Sequence, residues 1–126
     1  MIKVFSFSLS KPIDTWYVDD GCHTEGNDAN SYDDLAGSYQ PESFQAGVRC
    51  CTTDGTSCQT IGSCPGVSTY YEAETQCSDL GERLCTKDEL LSEVCCGTGG
   101  SCDNYEVWTS TMESEETGNV CDTYLI

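Results

Sequence analysis

The chain has 126 residues, with 22 acidic against five basic side chains and a formal net charge of −17. That balance excludes nucleic acid and anionic membrane surfaces as partners, since both are held by clustered Lys or Arg, and leaves divalent cations and basic surfaces. Eleven cysteines exceed roughly 8% of the chain, the density of a disulfide scaffold made in an oxidising compartment, so the sequence reads as secreted, extracellular or cell-surface.

Zinc is disfavoured as the use of these thiols. No C-x-x-C occurs and His23 is the only histidine, whereas a structural site draws on two close cysteine pairs, or one pair and spaced histidines. The odd count means that one thiol is free, joined to another chain or parted from a mate outside the sequence. Connectivity stays open among about ten thousand arrangements. The length fits a single domain over 1–126 that can bury a core of its own, so the cysteines rigidify more than they rescue. No run approaches ~18 apolar residues, so membrane insertion is not expected.

Phe5-Ser6-Phe7-Ser8-Leu9 alternates with the period of a half-buried strand, which predicts a strand over 2–9 instead of a secretory leader. Thr15-Trp16-Tyr17-Val18 predicts a second strand from its aromatic and β-branched content. Residues 19–43 are rich in Gly, Asn, Asp, Ser and Tyr, with no Lys or Arg between Lys11 and Arg49, and read as a long acidic surface loop. Tyr32 and Tyr39 in it are ligand-surface candidates, because an exposed Tyr offers a large contact area with a polar tip.

Phe44, Ala46, Val48 and Cys50 alternate and predict a strand, followed by a turn-rich stretch over 51–67 held by Cys58 and Cys64. Thr69-x-x-Glu72 is a capping box opening a helix whose buried face carries Tyr70, Ala73, Cys77 and Leu80, with Gly81 as the C-terminal cap. After a short Arg83-Leu84-Cys85 segment, a second box, Thr86-x-x-Glu89, predicts a helix through Leu90, Leu91 and Val94 toward Gly97. A glycine loop over 97–100 leads to a strand over 105–111 and to a last strand over 120–126. The chain begins within one predicted strand and stops on apolar Thr123-Tyr124-Leu125-Ile126, so it reads as a unit excised from a longer secreted protein.

Catalytic constellations are weak, and no enzyme is expected. His23 lies in a polar loop without a G-x-S-x-G element. Glu113 with Glu115 or Glu116 is a carboxylate pairing that a chain this acidic produces by chance. Calcium is the better-supported chemistry: it takes six to eight oxygens, and Asp103, Asn104 and Glu106 place acid and amide ligands beside the Trp108 strand. A second acidic set, Asp19, Asp20, Glu25 and Asp28, lacks EF-hand spacing.

Tyr71-Glu72-Ala73, Cys77, Gly81-x-Arg83-Leu84-Cys85-Thr86, Glu89-Leu90 and Val107-Trp108-Thr109-Ser110 together resemble the first half of a C-type-lectin-like domain. The plan is shared by Link modules, and Arg83-Leu84-Cys85-Thr86-x-x-Glu89 is similar to a segment of the formylglycine-generating enzymes, whose catalytic cysteine region has no counterpart here. Gly47-Val48-Arg49-Cys50 resembles the family's closing strand but stands before the first helix, which implies a circular permutation or a register drawn across repeated domains. The match covers residues 44–111, and the pattern is also similar to cysteine-rich domains repeated in tandem in secreted proteins of marine algae. The resemblance implies a disulfide-rich α+β fold with two helices packed on short antiparallel sheets, and a bond from Cys77 to Cys50 or Cys51.

The functional expectation is an extracellular, non-enzymatic recognition module that binds glycan or protein, with calcium as its one candidate cofactor. The alternative is a structural subunit of an extracellular wall, sheath or filament, self-assembling by strand addition and intermolecular disulfides. A disulfide-locked inhibitor, with the 58–64 loop as its exposed element, is the third.

Overall fold

The structure, a computed structural model, describes residues 13–22 and 37–113. The strands expected over 2–9 and 120–126, and His23, Glu25, Asp28, Tyr32, Glu115, Glu116 and Cys121, lie outside the described residues. Among the described residues, six strands and two helices follow in chain order: β1 Thr15–Asp20, β2 Ser38–Pro41, β3 Val48–Cys51, β4 Cys58–Ile61, α1 Tyr70–Ser78, β5 Arg83–Leu84, α2 Lys87–Leu91 and β6 Glu106–Met112. A 3₁₀ turn, Cys102–Asn104, precedes β6. The strands form two three-stranded antiparallel sheets, ordered β2-β1-β6 and β4-β3-β5, which makes this a disulfide-rich α+β fold.

The chain entering β3 joins the two sheets. Gly47 donates its N–H to the Glu106 carbonyl at 3.0 Å and accepts from Trp108 N–H at 3.1 Å, a parallel bridge onto β6. Only glycine fits there: a Cβ on Gly47 would collide with the Cys64 sulfur and press Cys102 Sγ and Val107 Cγ1 at 3.3 Å. Gly66 lies backbone to backbone against the same residue, and a side chain on it would strike Gly47 and Ala46.

β3 is buried on both faces, and its period of two divides the interior. Val48 and Cys50 face a core with Trp16, Val18, Tyr70, Ala73, Cys77, Leu84 and Trp108. Cys51 faces a second core with Cys85, Leu90, Cys95, Cys102 and Val107. The first is aromatic: Trp16 stacks on Tyr70 at 3.9 Å, while Tyr70 and Phe44 meet the fully buried Trp108 edge-on at 5.5 and 5.9 Å. Trp108 Nε1–H donates to the Ser68 carbonyl at 2.8 Å, so its polar edge is satisfied where its ring is desolvated. The second core is largely sulfur. Cys51–Cys85 and Cys58–Cys95 bond there, with Cys64–Cys102 beside them. Cys50 bonds Cys77 of α1, and Cys22 at the end of β1 bonds Cys96. Each neighbouring cysteine pair thus sends its sulfurs to different partners, Cys50 and Cys51 because the pleat turns them to opposite faces.

Several local features differ from the sequence expectations. Residues 38–41 of the expected acidic loop form β2, paired to β1 from Thr15↔Pro41 to Val18↔Ser38, and Asp19 and Asp20 end β1 as buried residues. The turn-rich stretch contains β4, and its Cys58 and Cys64 bond Cys95 and Cys102, not each other. β1 carries a bulge between Trp16 and Val18, where the buried Thr109 hydroxyl donates to the Tyr17 carbonyl at 2.8 Å.

The α1 helix ends in a Schellman motif, with Glu82 N–H on the Cys77 carbonyl and Gly81 N–H on Ser78, Gly81 having φ +74°. That turn swings Leu80 out to 49% exposure, off the buried face it was assigned. The second helix is shorter than expected. Glu93 takes φ +74°, which breaks the helix so that Cys95 and Cys96 can reach Cys58 and Cys22.

The capping box of α2 is complete: Glu89 N–H donates to Thr86 Oγ1 at 3.1 Å and Thr86 N–H to Glu89 Oε1 at 2.9 Å. Arg83 adds a bidentate pair to the same carboxylate, both contacts 2.8 Å. These bonds, the Arg83 guanidinium first, hold Glu89 below the usual carboxylate range. Its stabilising contribution is therefore complete above the ordinary Glu pKa and is lost as pH falls through the lowered folded value. Because Arg83 is about one-third exposed, Glu89→Gln should cost only about 1 kcal/mol near neutrality. The difference from wild type should vanish in acid, as read by urea denaturation at a series of pH values. Gly47→Ala, by contrast, should cost about 2–3 kcal/mol at every pH, through overpacking against the Cys64–Cys102 bridge. A variant as stable as wild type would contradict the contact.

Candidate functional site

An open cleft of about 520 Å³ is lined by Gly97, Gly99, Ser101, Cys102, Asp103, Asn104 and Tyr105. Two disulfides bracket it, Cys22–Cys96 at its start and Cys64–Cys102 near its end. The backbone between them turns through left-handed conformations at Gly97, Gly99, Gly100 and Ser101. Ser101 alone of the four pays for that shape with a side chain.

Arg49 holds the cleft from below. It is wholly buried on β3, yet its side chain reaches three elements: Nε–H donates to Thr60 Oγ1 at 2.8 Å, Nη2–H to the Gly99 carbonyl at 3.1 Å, and Nη2 pairs with Asp103 Oδ1 at 2.8 Å. Asp103 in turn accepts the Gly97 N–H on both carboxylate oxygens, at 3.2 and 3.1 Å. Burial lowers the Arg49 pKa from its ordinary value, and the Asp103 hydrogen bond and charge oppose that shift. One buried cation thus fixes both ends of the loop, Gly97 through Asp103 and Gly99 directly.

The end of β1 clamps the floor. Gly21 N–H donates to the carbonyls of Cys102 and Tyr105, both at 3.0 Å, and Cys22 N–H to the Asp103 carbonyl at 3.0 Å. Gly21 passes so close that a Cβ would lie 2.5 Å from Arg49 Nη1 and closer still to the Cys102 carbonyl.

Of the proposed calcium ligands, Asp103 and Asn104 line the cleft and Glu106 does not: it is buried on β6, opposite Asp20 in the β1 register. Asp103 is already neutralised by Arg49, so a cation there would compete with a buried guanidinium 2.8 Å away. Among the described residues, none of the acidic side chains joins a group of three or more close enough to share an ion. In the second acidic set, Asp19 accepts from Tyr17 Oη–H and from Asp20 N–H, which are bonds within β1.

Tyr39 is not on a loop. It sits on β2 opposite Tyr17, its ring 5.4 Å from that ring, with Lys87 Nζ 4.6 Å from the Tyr17 centroid and 5.9 Å from that of Tyr39. Glu113 accepts from Thr15 Oγ1 at 2.9 Å. Sequence reasoning missed the role of Arg49. The signal for Arg49 was available: a lone basic residue between Cys50 and two apolar positions, in a strand whose other face also carries a cysteine.

The asymmetry of the Arg49–Asp103 pair can be measured. Asp103→Ala leaves a fully buried cation without its carboxylate and should cost about 3 kcal/mol. Arg49→Met leaves only a one-third-exposed carboxylate, and the double variant should recover at least about 1 kcal/mol of the summed losses. Strict additivity in a denaturation cycle would show that the pair is not coupled. No protein-family model, no curated protein and no solved structure matches this chain, so its fold and site are read from its own residues.

Proposed function

We propose that the protein is a secreted, non-enzymatic recognition module of lectin-like type that binds an extracellular glycan in the 97–105 cleft. The observation that carries this reading is the braced loop: a concavity in the size range of small-ligand sites, on a backbone held by two disulfides and one buried Arg. Pre-ordering of this kind reduces the entropy lost on binding. The lining supplies a carboxylate, an amide and a hydroxyl for polar recognition, and the Tyr105 ring for stacking against an apolar sugar face. The sulfur in the lining, Cys102 Sγ, is bonded to Cys64 and offers no thiol nucleophile.

Five disulfides in so small a domain are typical of extracellular proteins. Among the described residues no helix is long and apolar enough to cross a membrane. The prior engagement of Asp103 supports recognition without a bridging calcium ion.

A glycan array probed with the oxidised protein, with calcium and with chelator, tests the proposal. Wild type should bind a defined glycan class equally in both conditions. Tyr105→Ala should weaken binding at least about tenfold, while Tyr39→Ala should leave it unchanged. Binding lost on chelation would restore the calcium reading, and binding insensitive to Tyr105→Ala would move the site elsewhere. An empty array, with concentration-dependent or covalent assembly by size exclusion and non-reducing gels, would favour the structural-subunit alternative.

A further inference from the structure

The two bridges Cys51–Cys85 and Cys58–Cys95 are in contact. Cys85 Sγ lies 3.5 Å from Cys95 Sγ and 3.8 Å from Cys58 Sγ, and all four sulfurs fall within 4.8 Å of one another. The cleft does not use them. We propose that, in the reduced chain, these four cysteines form a tetrahedral zinc site, and that the two disulfides are the oxidised form of the same cluster.

The geometry carries the argument. Zinc bound by four thiolates at ~2.3 Å sets its sulfurs about 3.8 Å apart along each edge of the tetrahedron. Two non-bonded separations already match that edge. The bonded pairs, about 2.0 Å apart as disulfides, reach it by side-chain rotation within the same backbone.

That backbone is set by bonds other than the two bridges. Cys51 and Cys58 are direct register partners on β3 and β4, Cys85 follows β5, which pairs with β3, and Cys95 follows α2. Cys51, Cys85 and Cys95 are fully buried, while Cys58 is partly exposed and offers a path for the ion. The three other bridges, Cys22–Cys96, Cys50–Cys77 and Cys64–Cys102, hold sulfurs outside the group. The absence of a C-x-x-C pair does not prevent the site, because a strand register and two chain returns bring the ligands together from four segments.

The electron and proton balance is simple. Two disulfides take four electrons and four protons from two equivalents of a dithiol, which becomes a disulfide, or four electrons from two equivalents of a phosphine and four protons from two waters, whose oxygens leave on the phosphine oxide, and yield four thiols. Binding of Zn²⁺ then releases four protons and leaves a tetrathiolate complex of charge 2−. Oxidation by a disulfide donor runs the sequence backwards and expels the ion. The newly made chain would thus be organised by zinc before the cystines form.

The test uses the full chain, reduced with a phosphine, freed of reductant without oxygen, and titrated with Co²⁺ and then Zn²⁺. One equivalent of Co²⁺ should give the charge-transfer and d–d bands of a tetrahedral tetrathiolate, displaced by one equivalent of Zn²⁺. Alkylation of the zinc-loaded chain, read by mass spectrometry, should find Cys51, Cys58, Cys85 and Cys95 protected and the remaining cysteines modified. Cys58→Ser should weaken cobalt binding by at least about tenfold, and the pair Cys50→Ser with Cys77→Ser should leave it intact. Protection of another cysteine set, more than one ion per chain, or equal loss in the Cys50/Cys77 control would mean capture by scattered thiols and overturn the proposal. The recognition reading is tested on oxidised protein, so either can fail without the other.

Discussion

Strand β3 has only four residues, Val48–Cys51, and none of them reaches solvent. Its pleat is the constraint on which the remaining structure depends. Side chains of one parity are drawn to α1 and the aromatic cluster of Trp16, Tyr70 and Trp108, and those of the other parity to the cystines and the cleft. A shift of one residue in its register would exchange Cys50 with Cys51 and Val48 with Arg49. That would set a cation among aromatic rings and remove two disulfides at once, so few alternative pairings compete with the native one.

The covalent and non-covalent restraints serve different parts of the chain. Bridges closing spans of 27 to 74 residues each restrict the unfolded chain by roughly 4 kcal/mol if counted singly. Their spans overlap and cross, so they do not add. The aromatic core needs them least, since its packing and the Trp108 hydrogen bond desolvate it without an unsatisfied group. The 97–105 loop needs them most: it has little apolar area of its own and is held by Arg49, by Gly21 and by cystines at Cys96 and Cys102.

Features with a local cause were legible in the sequence. The two capping boxes, the Gly81 turn and the alternation through β3 each follow from residues a few positions apart. What escaped depends on distant partners. Ser38-Tyr39-Gln40-Pro41 has no alternation of its own and becomes a strand because β1 offers it a register. β4 is likewise specified by β3, and α2 stops early because two cysteines must leave in different directions. Of the site, Asp103 and Asn104 were visible as polar residues before a strand. Their role was not, because it is set by Arg49, more than fifty positions away, whose alternation phase suggested an outward side chain until the second core covered that face.

The hairpin of β1 and β2 has a further consequence. Its register is pinned at both ends, at Cys22 by a disulfide and at Gly37 by an N–H bond of 2.8 Å to the Val18 carbonyl. A slip of β2 along β1 would break the Gly37 bond, and a slip of β1 would pull on the Cys22–Cys96 bridge. The first sheet therefore passes its alignment to the start of the cleft through a covalent link, so that pairing between strands and the shape of the loop are set together.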